Sequence, residues 1–195
     1  MSSIFDINVN EYLNFALFLR DAAGLLRYQG YIGRDFRWPF NENEFLNEVG
    51  IQTFAEASQQ WNEWWEELVL ISKNEVINDT IHYSYLDDIS MGKFKNLDKY
   101  QDLKVAAQWV FSRYLGWWTL PYAGGKSAIE THINNQANVL SKKWRIDNID
   151  NEDERNFILR VVYPFKFESM IEKIDNKTIF GIIGVCALYE NRLNI

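Results

Sequence analysis

Phe157-Ile158-Leu159-Arg160-Val161-Val162-Tyr163-Pro164-Phe165-Lys166-Phe167 is the stretch on which the fold class of this chain turns. By pattern alone, an apolar run this short fits a buried strand and a piece of buried helix equally well. Thr80-Ile81-His82-Tyr83-Ser84-Tyr85 alternates with period two, as a strand does, but it is short enough to share the ambiguity. If the two runs are strands and pair, the chain is α+β with a small sheet from residues 80–86 and 157–167. If they are not, it is all-α.

The flanking signals favour the all-α alternative. Asn8-Val9-Asn10-Glu11 reads as a capping box, with Ile7 and Tyr12 at the staple positions around it. Asn41-Glu42-Asn43-Glu44 repeats the arrangement between Phe40 and Phe45, with Gly50 as its C-terminal stop. Thr53-Phe54-Ala55-Glu56 and Ser127-Ala128-Ile129-Glu130 are two further boxes. After Thr53, the residues Phe54, Ala57, Trp61, Trp64, Trp65, Leu68 and Ile71 fall on one helical face. Glu56, Gln59, Gln60, Glu63, Glu66, Glu67 and Lys73 populate the rest of that helix. Leu103, Ala106, Ala107, Val110, Tyr114 and Trp117 define a second amphipathic run, and the segment around residues 12–19 is apolar nearly all round. Ile179, Ile182, Ile183, Cys186, Ala187 and Glu190 also follow helical spacing, although their β-branched content suits a strand. The expectation is an all-α, single-domain, bundle-like fold over residues 1–195, with about six to eight helices.

Composition agrees with one well-filled core. At 195 residues, folding buries roughly 70% of the surface of the unfolded chain. Eight Trp, ten Tyr and thirteen Phe make an aromatic core the expectation, since each ring buries roughly 150–250 Å². The 20 basic and 27 acidic residues leave a net charge of −7, which argues against generic binding to phosphate backbones. The start of the chain has no basic region followed by an apolar one, and no apolar run approaches the ~20 residues of a membrane span. A cytoplasmic protein, binding neither nucleic acid nor membrane, is the expected class. The single cysteine, Cys186, lies in an apolar run and reads as a buried thiol.

Candidate sites are weak against their structural alternatives. Gly124-Gly125-Lys126-Ser127 invites a phosphate-loop reading, but that motif needs a further glycine where Leu120 stands, and a strand where a helix is expected. What remains is an anion held at a helix start by Gly124, Gly125, Lys126 and Ser127, against an ordinary interhelical turn. His82 and His132 are the two histidines. Glu130-Thr131-His132 is one residue too short to present two ligands on one helix face, so no metal is implied. Glu63, Glu66 and Glu67 could do acid–base work beside tryptophan, but they match a solvated helix face equally well. No nucleophile arrangement is visible, so no catalytic residue and no cofactor are assigned.

The most unusual stretch spans residues 27–39. There Arg27, Arg34 and Arg37 are interleaved with aromatics that include Tyr28, Tyr31 and Trp38. Arginine among aromatics is the composition of binding hot spots, and also of a loop folded over a core. Two functions follow as expectations. The first is a non-catalytic acidic module that binds a protein partner, such as an inhibitor or immunity-type partner of a basic toxin or nuclease. The alternative is a small-molecule-binding protein or enzyme with a pocket lined by Trp61, Trp64 or Trp65. An exposed aromatic face would equally serve a homodimer.

Overall fold

Two strands from opposite ends of the chain, β1 (Phe5–Val9) and β2 (Asn156–Val162), pair in parallel. β4 (Thr178–Gly184) adds in parallel to the other side of β2, and β3 (Met170–Lys173) closes the far edge antiparallel to β4. The sheet order is therefore β1-β2-β4-β3. The structure is a computed structural model that describes residues 5–25, 54–78, 89, 92–121, 124–147, 156–163 and 168–188. Among those residues are four α-helices: α1 (Glu11–Ala22), α2 (Phe54–Asn78), α3 (Gln101–Trp118) and α4 (Gly125–Asp147).

The all-α expectation of six to eight helices is thus overturned by a four-stranded mixed sheet. The physical reason lies in β4. Strands of a parallel arrangement are buried on both faces and read as continuous apolar runs rather than alternating ones. From Ile179 to Gly184 every residue is buried, so the period-two signature is lost and Ile179, Ile182 and Ile183 mimic helical spacing. Among the described residues of that run, only Val185–Leu188 is helical, as a short 3-10 turn that contains Cys186. The α+β alternative comes closer, since residues 157–162 are in the sheet, while residues 80–86 lie outside the described residues. The Asn8 capping box is likewise corrected. Asn8 sits in β1 opposite Arg160, and the helix begins at Glu11.

The chain divides into two compact units, one from Glu11 to Trp118 and one formed by Met1–Asn10 with Thr119–Ile195. In the sheet unit, Phe157, Leu159 and Val161 point to one face and pair with Ile179, Gly181 and Ile183. Gly181 is needed there: a Cβ at that position would lie 2.9 Å from Leu159 Cδ2. α4 packs beside β1 and the 3-10 turn, with Ile129, Ile133 and Leu140 buried.

In the helical unit, Phe15 is the hub. Its ring lies 5.0 Å from Tyr114, 5.3 Å from Phe94, 6.0 Å from Phe111 and 6.3 Å from Trp64, mostly edge to face. That geometry matches ring edges to ring faces, the preferred electrostatics of aromatic pairs. α1 is buried from Tyr12 to Leu19, as an all-round apolar helix must be, and it ends on Gly24 at φ +65°. The amphipathic readings of α2 and α3 are met in the main: Ala57, Trp61, Trp64 and Leu68 are buried on one while Trp65 and Ile71 are half-buried, and the expected face of the other is buried from Leu103 to Trp117.

Candidate functional site

α2 owes its length of 25 residues to its two-sided pattern, and that pattern also builds the candidate site. Helical spacing places Glu56, Glu63, Glu66, Leu70 and Ile77 in one stripe, across the helix from the buried Ala57, Trp64 and Leu68. All five are exposed, and Leu70 and Ile77 each keep 56% of their surface in water. Glu63 accepts a hydrogen bond from Gln59 Nε2 at 3.1 Å. Glu67 belongs elsewhere: it accepts from the Tyr100 hydroxyl at 2.8 Å and pairs with Lys99. Burial pushes the Tyr100 phenol above its ordinary pKa, so it stays a donor, and the hydrogen bond to Glu67 raises that of the Lys99 ammonium.

The stripe is mounted on a fixed element. Trp61 Nε1 donates to the Ala16 carbonyl of α1 at 2.8 Å, and the Tyr12 hydroxyl donates to Glu75 at 2.7 Å. From α3, the Leu103 amide donates to Gln60 Oε1 at 3.0 Å, which gives an otherwise orphaned N–H of the first turn its partner. These aromatic and polar side chains of α2 and its neighbours hold its rotation about its own axis. The face turned outward is set by these tethers.

Arg27, Tyr28, Tyr31, Arg34, Arg37 and Trp38 lie outside the described residues, as do His82 and the Cys186 side chain. Gly124, Gly125, Lys126 and Ser127 do come together at the start of α4, which begins three residues earlier than the Ser127 box predicts. The Gly124 carbonyl accepts the first helical bond, from Ala128 at 2.9 Å. Ser127 Oγ donates to the Leu120 and Gly124 carbonyls at 3.2 Å each, so its hydroxyl closes the turn from inside the helix. Gly124 and Gly125 are buried while Lys126 is exposed to water.

Trp61 and Trp64 belong to the core, and Trp65 stacks on Trp61 at 5.4 Å. The indole of Trp61 also carries the Arg20 guanidinium at 5.3 Å from its centroid. His132 is half-buried, and among the described residues no group of three or more His, Cys, Asp or Glu side chains is placed to hold a metal ion. In the sheet unit, Asp6 bridges β1 to β2 by accepting from Arg160 Nη1 at 2.9 Å, and it also accepts from Asn8. That small polar cluster ties the two strands.

Sequence reasoning finds the carboxylates of the α2 stripe but misses Leu70 and Ile77. The signal is present, since both continue the spacing of Glu63 and Glu66. It is easily overlooked because large aliphatic residues are assigned to the core by default. No helix among the described residues is long and apolar enough to cross a membrane. No family model, curated protein or solved structure matches the chain.

Proposed function

We propose that this chain is a non-catalytic, acidic protein-binding module whose partner is a basic protein, with an inhibitor or immunity-type pairing with a basic toxin or nuclease as its specific form. The outward stripe of α2 carries the reading: exposed carboxylates at Glu56, Glu63 and Glu66 run into exposed Leu70 and Ile77 on a helix held in place by its core face. The net charge of −7 adds a long-range field of the same sign. Such a field speeds encounter with a basic partner and orients it, while apolar contacts slow its departure. The aromatic-pocket alternative has less support, because Trp61 and Trp64, which would have to line the pocket, pack against α1 and Phe15.

Capture from an extract of the native host tests the reading. The immobilised chain is expected to retain a basic protein at low salt and to release it as ionic strength rises toward about 1 M, where the screening length falls to roughly 3 Å. Retention of no protein, or of one indifferent to salt, removes the proposal.

A further inference from the structure

The outward faces of α2, α3 and α4 differ in chemistry. On α3 the exposed residues include the uncharged Gln101, Val105, Gln108 and Ser112, with a cation at Arg113 whose guanidinium lies over Trp109. On α4 Lys126, Glu130, Asn134 and Lys142 mix both signs with amides. On α2 the exposed charges are the carboxylates of Glu56, Glu63 and Glu66, and they occupy one end of the stripe while Leu70 and Ile77 occupy the other. Among the described helices, α2 alone offers an acidic field joined to apolar anchors.

We infer that this stripe is the docking face, and that its occupant is a cationic amphipathic helix of the partner, lying along α2 with Lys or Arg against Glu56, Glu63 and Glu66 and apolar side chains against Leu70 and Ile77. The inference rests on the protein-binding reading and adds the surface and the mode. From Glu56 to Ile77 the stripe runs about 30 Å at ~1.5 Å per residue, the length of an ordinary helix–helix contact. Leu70 and Ile77 stand two turns apart, a spacing that a partner helix matches with its own i and i+7 anchors. A second copy of the chain fits poorly. In a parallel pair, like carboxylates would face each other along the stripe. In an antiparallel pair, Glu66 would meet its own copy near the two-fold axis, and Glu56 and Glu63 would be set against Ile77 and Leu70. Burying carboxylates without a cation is costly, whereas a cationic helix supplies one for each.

The probe is a fluorescein-labelled helical peptide of about 20 residues, with lysines along one face and two leucines two turns apart at one end. The full chain should bind it, as read by anisotropy. E56K/E63K/E66K should weaken binding roughly a hundredfold, chiefly through slower association, and L70S/I77S roughly tenfold, chiefly through faster dissociation. The control E130K/E168K changes the same kind of charge at exposed positions of the other unit and should stay within about twofold. All of these residues are exposed, so circular dichroism should show native folding throughout. An equal loss in the control, no loss in L70S/I77S, or a wild-type dimer that L70S/I77S dissolves would each overturn the inference. Repeating the host capture with E56K/E63K/E66K separates the two levels. A basic protein still retained removes the stripe but leaves the binding-module reading, whereas no capture by the wild type removes both.

Discussion

The helical unit and the sheet unit fill their interiors by different means. In the helical unit the filling is aromatic, and the polar tips of the rings fasten one element to another: Trp61 to the Ala16 carbonyl, Tyr114 to the Glu11 carbonyl at 3.1 Å, Tyr12 to Glu75, and Tyr100 to Glu67. Burial pushes the Tyr114 phenol well above its ordinary pKa, so that hydroxyl remains a donor throughout the neutral range. In the sheet unit the filling is mostly aliphatic and β-branched, with Val161, Val162, Ile179, Ile182 and Ile183 buried beside the rings of Phe157 and Phe180, and the backbone ladder meets the polar needs of the strands. One unit is specified by where side-chain tips reach, the other by register and by the clearance between strands. Truncating a hub ring should therefore hurt the first most, and adding a single methyl should hurt the second.

The largest effect is expected from Phe15→Ala. It removes the ring that meets Tyr114, Phe94, Phe111 and Trp64, in a site with no exposure, and should cost about 3–5 kcal/mol in urea denaturation. Hydrogen exchange should locate the loss: amides of α1, α2 and α3 should lose protection well before those of β2 and β4. Equal loss in both units would show that they unfold as one cooperative body, and the contrast between them would then be one of composition only.

One substitution made in both units should have opposite signs. Gly181→Ala places a methyl 2.9 Å from Leu159 Cδ2 and 3.4 Å from Ile171 Cγ1 and the Met170 carbonyl, between two strand neighbours. Leu159 is completely buried, so its methyl has little room to move, and the cost should be about 1–3 kcal/mol. Gly116→Ala, by contrast, meets nothing within 4 Å on an exposed face of α3 and should stabilise by up to about 1 kcal/mol, by restricting the unfolded chain and favouring the helix. If Gly181→Ala proved neutral, clearance between strands would not be what limits the sheet.

The same difference between the units explains what the sequence disclosed. α2 and α3 each bury one face and wet the other, so their period of 3.6 survives in the residue pattern, and the faces from Ala57 to Leu68 and from Leu103 to Trp117 are legible. β4 is buried on both faces and keeps no alternation. β1 carries Asn8 and precedes Glu11, so its end imitates a capping box. It becomes a strand because it pairs with β2, some 150 residues onward, and pairing at such separation leaves no local mark. β3 has only four mostly exposed residues, and Glu172 and Lys173 suit it to an edge. In the candidate site, the carboxylates of α2 are legible as a solvated face. Leu70 and Ile77 gain meaning only from their exposure, which depends on how α2 is rotated by Trp61, Gln60 and Glu75.

The smallest effect belongs to the turn that sets β3 against β4, and it tests whether the charge of a side chain supports that pairing. The Ile174 amide closes the turn on the Thr178 carbonyl at 2.9 Å, and Asp175 Oδ1 accepts from the Lys177 and Thr178 amides at 2.6 and 2.8 Å. Those backbone donors, Lys177 first, hold the Asp175 carboxyl below its ordinary pKa. Because the folded value is the lower one, the stabilisation is fully present above the ordinary Asp value of about 3.9 and is lost as pH falls through the lowered value. Protonation weakens the acceptor and leaves the backbone bond of the turn in place. Asp175→Ala should therefore melt slightly below the wild type at neutral pH, by a margin that narrows as the buffer drops below about pH 4. A margin that persists undiminished into strong acid would mean that the shape of the side chain, and not its charge, supports the turn that sets β3 against β4.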